Sequence, residues 1–93
     1  MVLRLYVAGG DAHSIEARRL CEQVTKRCQP SPCRLEIVDV LTDPSQAERD
    51  RVLATPTLVR LEPPPVVRLI GGLWSVDFVM EALQLNSTNE HPA

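Results

Sequence analysis

The 93 residues suffice for one compact domain and exclude two; apolar residues make up 44% and aromatic ones only 3%, so Leu, Val, Ile and Ala must build the core. A formal net charge of −2 offers no positive field for a phosphate backbone, and Tyr6, Trp74 and Phe78 are too few rings for base stacking, which excludes nucleic-acid binding. No apolar run approaches the ~20 residues that cross a bilayer, and three cysteines without a signal-peptide pattern point to a reducing, cytoplasmic compartment.

Residues 2–8 are apolar on both faces except at Arg4, the pattern of a central strand buried between two layers. Gly9-Gly10 breaks it. From Ser14, a suitable N-cap, the spacing of Ala17, Leu20, Cys21, Val24 and Cys28 predicts a helix to about Gln29, stopped by Pro30 and Pro32. Residues 34–40 alternate more and predict a second strand nearer an edge. So long a connection implies a parallel pair in a right-handed βαβ unit.

Asp43 as N-cap, Pro44 at the first helical position and Gln46 at the capping-box position start a short helix to about Arg51. Its charges leave little apolar surface beyond Ala47 and Val52, which predicts a loosely held element suited to movement or docking. Pro56 opens the next strand, where it fixes φ and donates no ladder hydrogen bond, and X-Pro is the one bond type for which cis is cheap. Residues 57–61 and 66–70, joined through Pro63, Pro64 and Pro65, predict an antiparallel hairpin. Ser75 caps a last helix with Val76, Val79, Met80 and Leu83 facing the core, and residues 86–93 read as a disordered polar tail. The order β-α-β-α-β-β-α over residues 1–85 is that of an α/β, thioredoxin-like domain with a mixed four-stranded sheet and a cis Pro56.

A thioredoxin-type enzyme needs Cys-x-x-Cys at the first strand-to-helix turn, where a helix N-terminus lowers a thiol pKa. Residues 9–14 contain no cysteine, which excludes that chemistry there. His13 stands alone, and a lone exposed histidine is far more often neither ligand nor base. Cys21 and Cys28 lie about 10 Å apart along one helix, too far for a disulfide. Cys28 and Cys33 flank the proline turn and can approach, but a reducing compartment argues against a stable bond. No metal-ligand spacing and no phosphate-binding loop occurs, so neither a metal nor a cofactor is expected.

Leu5-Tyr6-Val7-Ala8-Gly9, Val38-Asp39-Val40-Leu41, Leu53-Ala54-Thr55-Pro56-Thr57-Leu58 and Pro63-Pro64-Pro65-Val66 through Arg68-Leu69-Ile70-Gly71 resemble the KaiB family of circadian clock proteins in order and spacing. The resemblance implies a non-enzymatic protein that binds the KaiC ATPase ring. It also implies two folds, a thioredoxin-like binding form and an alternative ground state that assembles into tetramers, with proline isomers differing between them. Pro56 and the run Pro63, Pro64 and Pro65 are then fold-switch positions. Clock members carry Gly-Leu-Asp where this chain has Ala82-Leu83-Gln84. Ala favours helix over Gly by ~1 kcal/mol, and Gln is a better helix former than Asp near a C-terminus. Ala82 and Gln84 therefore predict a largely monomeric chain held in the thioredoxin-like form. Asp43, Gln46, Arg49 and Asp50 read as a mixed-charge docking surface for a KaiC-like ATPase, or more simply as a cap and a solvated face. The alternative function is a regulatory protein-binding module similar to the sensor domain of the clock kinase SasA, which shares the Val-Asp-Val and Ala-Thr-Pro elements but lacks the triple proline.

Overall fold

The structure, a computed structural model, describes residues 1–28 and 32–85. The expected disordered tail, residues 86–93, lies outside the described residues. Among the described residues seven elements follow one another: β1 (Val2–Val7), α1 (Ala12–Arg27), β2 (Arg34–Asp39), α2 (Pro44–Arg49), β3 (Thr57–Glu62), β4 (Val67–Ile70) and α3 (Val76–Ala82). The sheet order is β2-β1-β3-β4, with β1 parallel to β2 and antiparallel to β3, and β4 antiparallel to β3. The apolar first strand is central and the alternating second strand lies at an edge, as their patterns predict.

Leu3, Leu5 and Val7 of β1 and Leu58 of β3 form one core with Ala17, Cys21 and Val24 of α1 and Val79, Met80 and Leu83 at α3. The two helices thus cover one face of the sheet. Arg4 and Tyr6, of opposite parity, point to the other face.

Helix α1 begins earlier than its sequence suggests. Asp11 is the N-cap, its carboxylate accepting the Ser14 N–H at 2.8 Å. Ser14 is fully buried, and its hydroxyl accepts the Ala8 N–H at 3.0 Å, tying the helix to the end of β1. The serine is a tether one turn into the helix rather than its cap.

The cysteines give a second correction. Cys28, the C-cap of α1, is disulfide-bonded to Cys33, with a Cα–Cα distance of 6.0 Å. Pairing in the sheet brings this about: Arg34 N–H donates to Met1 O at 2.8 Å and the Met1 amino group to Pro32 O at 3.2 Å, which sets the start of β2 beside the end of α1. That spacing lies within the range a disulfide spans.

Among the described residues three bonds are cis, Thr55–Pro56, Glu62–Pro63 and Pro64–Pro65. Within β3 a buried cation links the hairpin to the last helix. Arg60 is 4% exposed and donates from one guanidinium nitrogen to Leu83 O at 2.6 Å and from the other to Pro65 O at 2.8 Å.

Helix α3 ends in a Schellman turn: Gln84 N–H donates to Glu81 O at 3.1 Å and Leu85 N–H to Met80 O at 2.9 Å, with Met80 and Leu85 both buried. Gln84 has φ +53 and lies beyond the Leu83 cap. The helix-propensity argument therefore applies to Ala82, inside the helix, and not to Gln84. A left-handed residue is costly for anything but Gly, so Gln84→Gly is expected to stabilise the domain by about 1 kcal/mol. A higher urea midpoint at unchanged m-value checks this; a lower one refutes it.

Candidate functional site

Helix α2 lies on the sheet face opposite α1 and α3. Asp43 caps it, accepting the Gln46 N–H at 3.3 Å, and Pro44 fills the first turn. Gln46 does not complete a capping box. Its amide nitrogen donates to Asp50 Oδ2 at 2.8 Å and its amide oxygen accepts from Arg49 at 2.9 Å.

Asp50 is the anchor. The same Oδ2 accepts the hydroxyl of Tyr6, a residue only 1% exposed, and Arg4 at 3.3 Å. The β1–β2 register sets Arg4 opposite Glu36, and Arg4 also donates to Glu36 Oε1 through Nε and a terminal nitrogen at 2.9 and 2.8 Å. Arg34 holds the other Glu36 oxygen at 2.9 Å. From β4, Arg68 donates to Arg51 O at 3.1 Å and to Asp50 O, closing the end of α2, where Arg51 has φ +57. The expectation of a loosely held helix is thus corrected. Arg4 and Tyr6 reach the sheet face that α2 covers and need polar partners, and Asp50, the C-cap of α2, supplies one to each.

The electrostatics follow from these contacts. Burial pushes the Asp50 carboxyl up, but hydrogen bonds from Tyr6 and Gln46 and the charge of Arg4 outweigh it and hold it below the ordinary carboxylate range. The hydrogen bond from Arg4 lowers Glu36. Burial and then the Asp50 hydrogen bond raise Tyr6.

With Gln46 and Asp50 engaged internally and half-buried, Asp43 and Arg49 are the candidate residues that stand at the surface. Two leucines flank α2 on its adjoining loops, Leu41 at 69% and Leu53 at 96% exposure. Between helix and loop runs a groove of about 450 Å³ floored by Val40, Ala47 and Val52. Among the described residues no cysteine or histidine lines it. An apolar floor with charged caps and bare leucines can hold another protein surface.

The first strand-to-helix turn is equally bare of thiols. Pro56 is buried behind Gly72, whose hypothetical Cβ would stand 3.1 Å from Pro56 Cγ, and Pro56 O accepts the Gly71 N–H at 3.0 Å. It serves as a junction between β3 and the β4–α3 loop. Sequence reasoning missed Arg4, Tyr6 and Arg68; the one available signal was a lone arginine in an apolar central strand, which demands a partner.

Comparison with known proteins places these features. The model for the KaiB domain matches residues 4–85. The circadian clock oscillator protein KaiB1 of Synechocystis is 39% identical over 84 residues, covering 90% of this chain and 80% of that protein. Among solved structures, the N-terminal domain of Synechococcus elongatus SasA superposes with TM-score 0.72 at 23% identity, covering 99% of this chain and 88% of that one. Thioredoxin 1 of Thermosipho africanus gives 0.74 at 16% identity, covering 90% and 91%. These two likenesses establish the thioredoxin-like fold.

Proposed function

This chain belongs to the KaiB family, and we propose that it is a non-enzymatic, cytoplasmic clock component or clock-derived adaptor that docks on a KaiC-type ATPase ring. The observation that carries the reading is the mounting of α2: a short helix fixed to the sheet through Asp50 and Arg68, presenting Asp43, Arg49 and two exposed leucines. A preorganised surface loses less entropy on binding than a mobile one. Asp43 and Arg49 make the charged contacts, while Gln46 and Asp50 position the helix that carries them.

Ala82 favours α3 over a strand, and no residue of 80–84 is β-branched to support the alternative fold. The chain therefore rests as a monomer in the thioredoxin-like form, with Pro56, Pro63, Pro64 and Pro65 at the joints of the segment the family refolds. Tetramers would accompany the other form.

Binding to a KaiC homologue, measured by interferometry, tests the reading. Paired reversal at Asp43→Lys and Arg49→Glu is expected to weaken binding about tenfold, ~1.4 kcal/mol, while Glu22→Lys on α1 leaves it unchanged. Unaltered binding of the double variant would remove α2 from the interface. The likeness to the SasA sensor domain supports a second reading, a regulatory module outside an oscillator. Capture of a kinase with no affinity for a KaiC ring would favour it.

A further inference from the structure

We propose that Cys28 and Cys33 form a reversible thiol–disulfide site that exchanges with small-molecule thiols and disulfides of the glutathione type. The site lies at the far end of β2 from α2 and is independent of the docking reading.

The two sulfurs differ in access. Cys28 is 3% exposed and packs in the core, whereas Cys33 is half-buried at its edge. An incoming thiolate therefore reaches Cys33 Sγ. It forms a mixed disulfide there, the Cys28–Cys33 bond breaks, and the electron pair leaves on Cys28 Sγ, which takes a proton from solvent. A second small thiolate attacks the small-molecule sulfur of that mixed disulfide. It releases Cys33 as thiolate and carries the oxidised pair away as a small disulfide. The reverse sequence, driven by a small disulfide, closes the bond.

Three features make the cycle compatible with an intact fold. The backbone around the bond is held without it: Cys28 N–H donates to Thr25 O at 3.4 Å, Arg34 N–H to Met1 O at 2.8 Å, and the Met1 amino group to Pro32 O at 3.2 Å. The remaining cysteine stays out of the exchange, because Cys21 is fully buried and burial pushes its thiol up to about 12. The residues next to the pair in sequence are cationic. Lys26, Arg27 and Arg34 flank the pair, with Arg27 bridged to Asp77 and Arg34 to Glu36, and exposed Lys26 is left to attract an anionic thiol. A bond that small thiols open and close also reconciles a disulfide with a reducing compartment, where persistent disulfides are rare.

The full chain, equilibrated across glutathione ratios, acid-quenched and alkylated, tests this. Trypsin cuts after Arg27 and Arg34, so one peptide carries both cysteines and Cys21 falls in another. The expected result is a single transition. The 28–34 peptide is lighter by two hydrogens at the oxidising end and doubly alkylated at the reducing end, while Cys21 stays protected and the far-UV spectrum constant. Closing a ring of about six residues should make the folded-to-unfolded ratio about 40-fold larger in the oxidised form. Cys33→Ser should fold and show no transition. Opening only in denaturant, opening only by a protein dithiol, participation of Cys21, or an unchanged transition in Cys33→Ser would each overturn the proposal.

Discussion

Asp50→Ala is expected to cost about 2 to 3 kcal/mol of folding stability, although the residue is only the C-cap of a surface helix. Its carboxylate collects Tyr6, Arg4 and Gln46 on one oxygen. Arg4 keeps Glu36 and Gln46 can turn to water, so the loss falls on the Tyr6 hydroxyl, left buried and unpaired. Urea denaturation measures the cost, and Tyr6→Phe in the Asp50→Ala background should add far less than in the native protein. Additive effects would mean that Asp50 acts through something other than this contact.

The same carboxylates set the acid limit of the domain. Asp50 and Glu36 are held below the ordinary range when folded, so the unfolded chain binds protons first as pH falls. Their contribution is complete above the ordinary carboxylate range and is lost as pH drops through it toward the folded values. Asp50→Ala should therefore flatten the acid limb of the stability curve as well as lower its plateau.

Arg60→Ala should be comparably severe, about 3 kcal/mol, for a different reason. The guanidinium is buried and its partners are carbonyls alone: Leu83 O at the end of α3 and Pro65 O in the proline turn. Its Nε has no partner among the described residues. Truncation orphans two carbonyls and empties the space of a long stem. Arg60→Lys, which keeps the stem and charge but lacks the fork, should lose about half as much. A lysine variant as stable as the native chain would show that bridging two carbonyls does not matter.

What the sequence revealed of the fold was whatever depends on periodicity. The continuous apolar run of β1 and the alternation of β2 located the centre and edge of the sheet, and the α3 stripe found its core face. What it hid depends on long-range pairing. Asp50 reads locally as one more charge at the end of a polar helix, and only the register that sets Arg4 beside Glu36 reveals why a carboxylate is wanted there. Arg60 reads as an ordinary outward strand residue until the ends of two other elements meet it. The five-residue spacing of Cys28 and Cys33 permits a disulfide, and only the pairing of Met1 with Arg34 shows that the two residues are brought together. Asp11 and Ser14 have the same capping propensity, and the choice between them is made by the Ala8 N–H, which needs the serine.

The central place of β1 also bears on how the chain leaves the ribosome. Leu5 has Ile37 on one side and Leu58 on the other, so the strand made first waits longest for its second neighbour. Once β2 has emerged, the remaining edge of β1 stays open for the seconds needed to translate through β3, at about 5–20 residues per second. During that interval the run VLRLYV is a template for pairing with another nascent chain. Arg4 is the one charge in it, and a charge inside an open strand opposes such pairing. The residue that pairs with Asp50 in the finished domain thus stands where a charge opposes mispairing of the open strand.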